Sequence, residues 1–525
     1  MTTLAAEPEP GIGHGQQGKG LKDGAIGFLS NTVIATASVA PAYSLAAALA
    51  FVVGYVGLQS PAIMLLAFVP MMFVAIGYKQ LNEAMPDCGT TFTWGTKAFG
   101  PMTGWMGGWA IIAADVIVMA NLAQIAAAYM FQFIGHFSHS DWIAGLANDK
   151  WWTLLLGVGW IVAMATICYL GIEISAEIQY GLLAIELVML IIFSITALGK
   201  VYSGHAGHQA IHPAIAWFNP FHVTFSAFTL GMLTALFIYW GWDTAVSVNE
   251  ETRDKHHAPG RAAVTATVIL LVTYLLVSTS AQAFAGVGSK GIGLNNSDNS
   301  GDVLSVLGGR VFGLKGGGWF LSGLLILMVL SSAAASTLTT ILPTARTSLA
   351  MAAYRSIPSR FARIHRKYLT PTWSTVGMAL LSIAFYVVMT AVSQNVLGDT
   401  ISSLGLMIAF YYGLTGLACG WWFRKDIARG GRALWTKGVL PVFGGLVLFA
   451  FFFYGAKQFW SASYGNTSWR LPFSPHWRIG GVFLTGIGAL VLGIILMFVY
   501  RAVSPAFFRG ETLNKETPIL VPETD

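Results

Sequence analysis

Three carboxyl side chains lie inside long apolar stretches of this 525-residue chain. Asp115 follows Trp109-Ala110-Ile111-Ile112-Ala113-Ala114, Glu186 is centred in Leu183-Ala184-Ile185-Glu186-Leu187, and Asp243 closes Tyr239-Trp240-Gly241-Trp242-Asp243. Ionisable groups at bilayer depth are costly, and they mark proton relays and cation sites. A buried carboxyl that can gain and lose a proton is the simplest carrier of a coupling proton. Asp243, Asp115 and Glu186 are therefore the candidate proton-coupling residues, and each could equally be a paired structural acid. An ionised carboxylate must also be paired to offset its desolvation, so Asp115 is a candidate contact for a substrate ammonium.

Two backbone features accompany these acids. The first apolar stretch contains Ser38-Val39-Ala40-Pro41-Ala42, with Pro41 near its middle. Proline removes a backbone donor and clashes with the carbonyl four residues earlier, so the helix must kink or break there. The sixth stretch has Gly241 between bulky aromatics, with Asp243 two residues on. Interrupted spans at matching places in two halves are the best sequence pointer to a transporter site. Ser38–Ala42 and Tyr239–Asp243 are thus expected to unwind and face each other at mid-membrane. Ser38, Val39, Ala40, Pro41, Ala42, Asp115, Tyr239, Trp240, Gly241 and Trp242 form the expected substrate site. The aromatic trio Tyr239, Trp240 and Trp242 would cover the ligand through cation–π contact, or simply pack between helices.

These residues need helices to position them. Hydrophobic residues make up 55% of the chain and charged residues only 10%, with a mean hydropathy of +0.65. A soluble domain carries about 25% charge, so the chain is an integral membrane protein and not a nucleic-acid binder. Twelve stretches meet the requirement of about 20 mostly apolar residues. They lie near 25–54, 60–82, 101–135, 152–171, 178–199, 223–248, 263–286, 319–350, 374–395, 400–423, 438–460 and 480–502. Asp115 then sits roughly 20 Å along the third helix at 1.5 Å per residue. The interrupted spans, first and sixth, are five apart, which suits two five-span repeats of opposite orientation.

Placing the N-terminus inside puts 20 of the 29 Lys and Arg residues in inner segments and eight in outer ones, with Arg346 within a span. That bias favours two cytoplasmic termini. Residues 1–23 are polar and Gly-rich without a signal-peptide core and read as a disordered cytoplasmic tail, and 506–525 as a second tail. Residues 24–505 form one transmembrane domain. Glu250, Glu251, Arg253 and Asp254, just past the sixth span, read equally as a gate latch or a solvated face. Cys88, Cys168 and Cys419 are far apart and form no metal or disulfide pattern. His256 and His257 lack the further ligands of a zinc site. No metal and no cofactor is expected.

Three motifs carry a family likeness. Pro86-Asp87-Cys88-Gly89-Thr90-Thr91-Phe92, followed by Gly100-Pro101 and Gly104-Trp105, resembles the Pro-x-x-Gly-x-x-Tyr run that enters the third span of amino acid–polyamine–organocation permeases, with Phe92 where Tyr is usual. Gly241-Trp242-Asp243 and Asn249-Glu250-Glu251-Thr252 are similar to that family's Gly-Phe-Glu and Glu-Glu-Thr signature. Arg346-Thr347-Ser348-Leu349-Ala350-Met351-Ala352 through Ile357-Pro358, Phe361 and Pro371 resembles its eighth span and following loop. The likeness covers about residues 20–505. It implies an all-α LeuT-type fold of twelve spans, 5+5 inverted repeats and broken helices 1 and 6, with spans 3, 8 and 10 helping to bind substrate. It also implies that Asp243 stands where related exchangers sense protons. Ser336 and Thr337 resemble the hydroxyl pair of the sodium site in sodium-coupled relatives. The family's Gly-Ser-Gly at the first break is replaced here by Ser38-Val39-Ala40-Pro41-Ala42.

The expected function is secondary active transport of amino acids or related amines and polyamines across the plasma membrane. It would be proton-coupled, as import or exchange by alternating access, with the substrate, a proton and the lipid bilayer as partners. A sodium-coupled symporter and a non-transporting amino-acid receptor are the alternatives. An enzyme is not expected, since neither an intramembrane His-Glu-x-x-His nor a Gly-x-Ser-x-Gly motif occurs.

Overall fold

The computed structural model describes residues 18–299, 301–393, 395–464, 467–471 and 474–521. Helices dominate. The first apolar stretch forms α1 (Phe28–Val39) and α2 (Pro41–Val56), followed by α3 (Ser60–Ala84), the short α4 (Thr91–Phe99) and α5 (Pro101–Ser138). Then come α6 (Lys150–Leu170), α7 (Ile172–Tyr202), α8 (Phe225–Ile238) and the single turn α9 (Thr244–Ser247). The second half holds α10 (Ala258–Ala285), α11 (Val303–Phe312), α12 (Gly317–Ala353), α13 (Thr372–Val392), α14 (Val396–Trp422), α15 (Leu440–Phe459) and α16 (Gly481–Val503). An antiparallel hairpin pairs Ser468–Leu471 with Ser474–Gly480.

Ten segments among the described residues are long and apolar enough to cross a bilayer. One of them, Phe28–Ala84, contains α1, α2 and α3, while α8 falls short of the length by itself. Twelve spans therefore stays an expectation of the sequence. Burial ranks the helices: the apolar windows of α5, α12 and α14 are 89%, 89% and 83% buried, against 28–44% for α6, α7, α10, α13, α15 and α16. The first group is the centre of the bundle and the second presents apolar faces outward, as a bilayer requires.

Both expected breaks are present. Pro41 cannot continue α1, and Ala40 turns the chain through a left-handed conformation (φ 49°, ψ 70°) before α2 starts. The sixth span stops at Ile238 and resumes at Thr244, with Gly241 between them at φ 120°. A Cβ on Gly241 would lie 2.9 Å from the Ser38 carbonyl oxygen, so the two breaks touch and glycine is needed for both the dihedral and the space.

Disorder through residue 23 does not hold for residues 18–23. The Lys19 side chain is 1% exposed and its ammonium lies 2.8 Å from Asp87 and 2.7 Å from Glu250. The C-terminal segment folds back as well, with Leu513 and Val521 buried. Polar composition concealed this, because the anchors are single residues whose partners stand 68, 231 and more positions away. Lys19 also donates to the Leu520 carbonyl at 3.4 Å, so the two terminal segments meet at one end of the bundle. Residues 1–17 and 522–525 lie outside the described residues.

Candidate substrate site at the two helix breaks

The two breaks share their hydrogen bonds with the central helices. Ser38 Oγ and Thr244 Oγ1 are 2.8 Å apart, which ties the end of α1 to the start of α9. The Ser38 carbonyl, freed by the break, accepts from Ser336 Oγ of α12 at 2.9 Å. The Val39 carbonyl accepts from Ser44 Oγ at 2.7 Å. These two carbonyls at the first break are thus each met by a hydroxyl, as burial demands.

A small cavity lined by buried residues lies at this junction. Ser38, Val39, Tyr43 and Ser44 line it from the first span, Asp115 and Val118 from α5, and Phe237, Trp240, Gly241, Asp243 and Thr244 from the sixth; Ser336, Thr340 and Pro343 of α12 complete it. It has room for about one water molecule. A small organic substrate would enter only if the lining moved. The lining carries two carboxyls and, among the described residues, no Lys, Arg or His.

Asp115 is 3% exposed and accepts from Thr344 Oγ1 at 2.6 Å. Asp243, equally buried, accepts from Tyr412 at 2.8 Å and Tyr411 at 3.2 Å, both on α14. Trp240 Nε1 donates to the Tyr411 hydroxyl, so one chain of contacts joins the cavity wall to the Asp243 carboxyl. Of the aromatic trio only Trp240 lines the cavity. Tyr239 packs edge-on against Tyr274 at 5.0 Å, and Trp242 sits against Tyr412 at 4.8 Å and Tyr78 at 5.1 Å.

Ala40, Pro41, Ala42 and Glu186 stand beside the cavity rather than on its wall. Glu186 Oε1 accepts from the Ala42 N–H at 2.6 Å and from Ser332 Oγ at 2.7 Å. Ser336 and Thr337 diverge. Ser336 reaches the first break, whereas Thr337 Oγ1 donates to the Ala333 carbonyl and receives Trp160 Nε1 at 3.3 Å. Sequence reasoning missed Thr344, Ser332, Tyr411 and Tyr412. Pro343 inside α12 could have flagged Thr344; a Tyr pair in an apolar run carries no comparable signal.

At the end where Lys19 and Leu520 meet, Glu250 and Glu251 past the sixth span are buried in ion pairs, a cluster termed the latch. Glu251 receives Arg346 through Nε and Nη2, both at 2.9 Å, a fork-to-carboxylate pair of the strong bidentate kind. Glu250 also accepts from the Cys88 N–H at 2.9 Å. Asp87 receives Gly89 N and Thr93 Oγ1, each at 2.8 Å, and the Tyr354 hydroxyl at 2.7 Å. Burial pushes the Asp87 carboxyl up, but Lys19 and these donors outweigh it and hold it below the usual range. Burial lowers the Lys19 ammonium, yet Asp87 and Glu250 raise it well above its ordinary value. Asp87, Cys88 and Glu250 are close enough together to hold a metal ion, but Lys19 supplies the cation between the two carboxylates. Arg253 and Asp254 are exposed, the solvated remainder of that run.

Comparison with known proteins agrees with this architecture. The profile of a family described as amino acid permease matches residues 26–484. An uncharacterized transporter of Mycobacterium tuberculosis is 25% identical over 348 residues, which is 65% of this chain and 67% of that one. The branched-chain amino acid permease BcaP of Lactococcus lactis is 24% identical over 224 residues, 41% of this chain and 46% of its own. Among solved structures, that of MhsT in complex with L-phenylalanine superposes with a TM-score of 0.58 at 14% identity, covering 80% of this chain and 98% of MhsT; that likeness concerns the LeuT-type fold alone. With the family profile spanning both helix breaks, the central helices and the Glu251–Arg346 pair, the chain belongs to the amino acid permease family of the amino acid–polyamine–organocation superfamily.

Proposed function

We propose that this permease is a secondary active transporter of amino acids or related amines, working by alternating access and driven by protons. The observation that carries the reading is the small buried cavity where two helix breaks meet, with Asp115 and Asp243 on its wall. Asp115 is positioned to meet a substrate amine, and Asp243, tied to Tyr411 and Tyr412, to link protonation to the sixth span. Glu186 remains a third acid available for the coupling proton. Sodium coupling is the weaker reading, because the Ser38 carbonyl is already taken by Ser336 and Thr337 faces Trp160.

The relatives' names support an amino-acid-like substrate. The charge bias supports both termini in the cytoplasm, which makes the latched end the cytoplasmic one, and the plasma membrane is the membrane we take the protein to cross. Proteoliposomes with an imposed pH gradient and no sodium should accumulate a substrate from a panel of amino acids, polyamines and small amines. Accumulation only under a sodium gradient would transfer the coupling role to Ser336 and Thr337. Binding without any accumulation would make the protein a receptor on a transporter fold.

A further inference from the structure

α2 begins inside the membrane, and its first turn offers two backbone donors that the helix itself cannot use. Pro41 has no N–H, so these are Ala42 and Tyr43. Such a half-helix N-terminus carries partial positive charge and is the place where a broken-helix transporter can hold a substrate's anionic group. In this chain both donors are already engaged. Ala42 N donates to Glu186 Oε1 at 2.6 Å. Tyr43 N donates to Ser332 Oγ at 3.1 Å, and that hydroxyl donates to the same Glu186 oxygen at 2.7 Å. Glu186 is fully buried, and its second oxygen, Oε2, has no hydrogen-bond partner. The contacts through Oε1 hold whether or not Oε2 carries a proton.

We propose that Glu186 is a specificity residue: a carboxyl of the protein occupies the α2 N-terminus, so the site takes an amine that lacks an α-carboxylate. The ligand class is a primary mono- or diamine of the kind formed by decarboxylating an amino acid. The rest of the site fits it. The cavity wall offers Asp115 and Asp243 to an ammonium and, among the described residues, no cationic side chain to a carboxylate. A substrate carboxylate would have to displace Glu186 from two donors and meet two further acids nearby. This inference rests on the transport reading above.

The test is binding to the purified full-length protein by matched pairs, putrescine against ornithine and phenethylamine against phenylalanine. In the wild type the amine of at least one pair should bind ten-fold or more tightly than its parent amino acid. Glu186→Ala should cut that ratio by at least ten-fold through a gain in amino-acid affinity. Glu186→Gln, whose amide oxygen still accepts from Ala42, should keep the wild-type ratio. Ser332→Ala frees only Tyr43 and should shift the ratio less, in the same direction, which serves if Glu186→Ala does not fold. A wild type that binds the amino acids as well as the amines overturns the proposal, as does a ratio unmoved by Glu186→Ala or changed by Glu186→Gln. If no member of either pair binds, the transport reading itself falls and the proposal with it.

Discussion

Asp115 and Asp243 share a cavity wall but have different company, and under the proposed transport reading the difference gives them different expected roles. Asp243 accepts two tyrosine hydroxyls, whereas Asp115 has Thr344 alone for its Oδ2. A carboxylate with a single side-chain donor at this depth is underpaired, and a ligand ammonium would supply what is missing. Asp115→Asn keeps the size and still accepts from Thr344, so it removes charge with little else. Amine affinity should fall ten-fold or more in a direct binding assay, about 1.4 kcal/mol, as expected when a charge-assisted contact is lost. Equal affinity in a folded Asp115→Asn protein would mark Asp115 as a structural acid.

At the scale of elements, the two breaks predict that two residues accept few substitutions. Ala40 is a non-glycine residue at φ 49° and is fully buried. A left-handed residue of this kind costs roughly 1–2 kcal/mol, which the close of α1 and the start at Pro41 impose. Ala40→Gly should therefore keep uptake and raise thermal stability slightly, while the β-branched Ala40→Val should lose both. Gly241→Ala forces a Cβ to within 2.9 Å of the Ser38 carbonyl as well as an unfavourable φ. It should cost on the order of 1–3 kcal/mol and stop uptake, read by thermal unfolding and a liposome flux assay together. These positions also show what the sequence could say. Pro41 and Gly241 break local rules of helix formation, so their effect is visible without a structure. The long apolar runs place α5, α12 and the others for the same reason. What stayed hidden depends on contacts across the bundle. Glu186 meets Ala42 over 144 positions and Thr344 meets Asp115 over 229, and hydroxyls in apolar helices look alike whether they serve a site or their own backbone. Trp242 and Tyr239 show the same limit, since a wall residue and a core residue have one composition.

Over the whole molecule, the end where Lys19 and Leu520 meet is held by buried charge. Lys19 bridges the loop before α4 to the end of the sixth span, and the C-terminal segment closes over it through Leu520 and Tyr354. If alternating access operates, this latch must part for substrate to leave toward that side. Removing one partner of a buried ion pair strands the others and costs about 3–5 kcal/mol. Lys19→Met would leave Asp87 and Glu250 buried without their cation, so the closed state should weaken more than the open one. Cys88 reports on this directly, because it is fully buried and its N–H is bonded to Glu250. With Cys168 and Cys419 replaced by Ala, an impermeant maleimide applied from the latched side should label Cys88 at least several-fold faster in Lys19→Met than in the parent. The pH response has a definite sign. Lys19 pulls on both carboxyls in the wild type: Asp87 is held below its ordinary value, while burial keeps Glu250 above its own although Lys19 opposes it. The share that Asp87 contributes to stability is therefore present above its ordinary value of 3.8 and is lost only as pH falls through its lower folded value. Without Lys19, burial and the repulsion between the two carboxylates push both up from their wild-type positions, against the hydrogen bonds that remain. A folded state that binds protons more tightly than the unfolded one gains stability as pH falls. The thermal-stability deficit of Lys19→Met relative to the parent should therefore shrink from mildly alkaline to mildly acidic buffer. Cys88 labelling that is unchanged by Lys19→Met, together with a deficit independent of pH, would show that Lys19 merely fills space at this end and holds nothing shut.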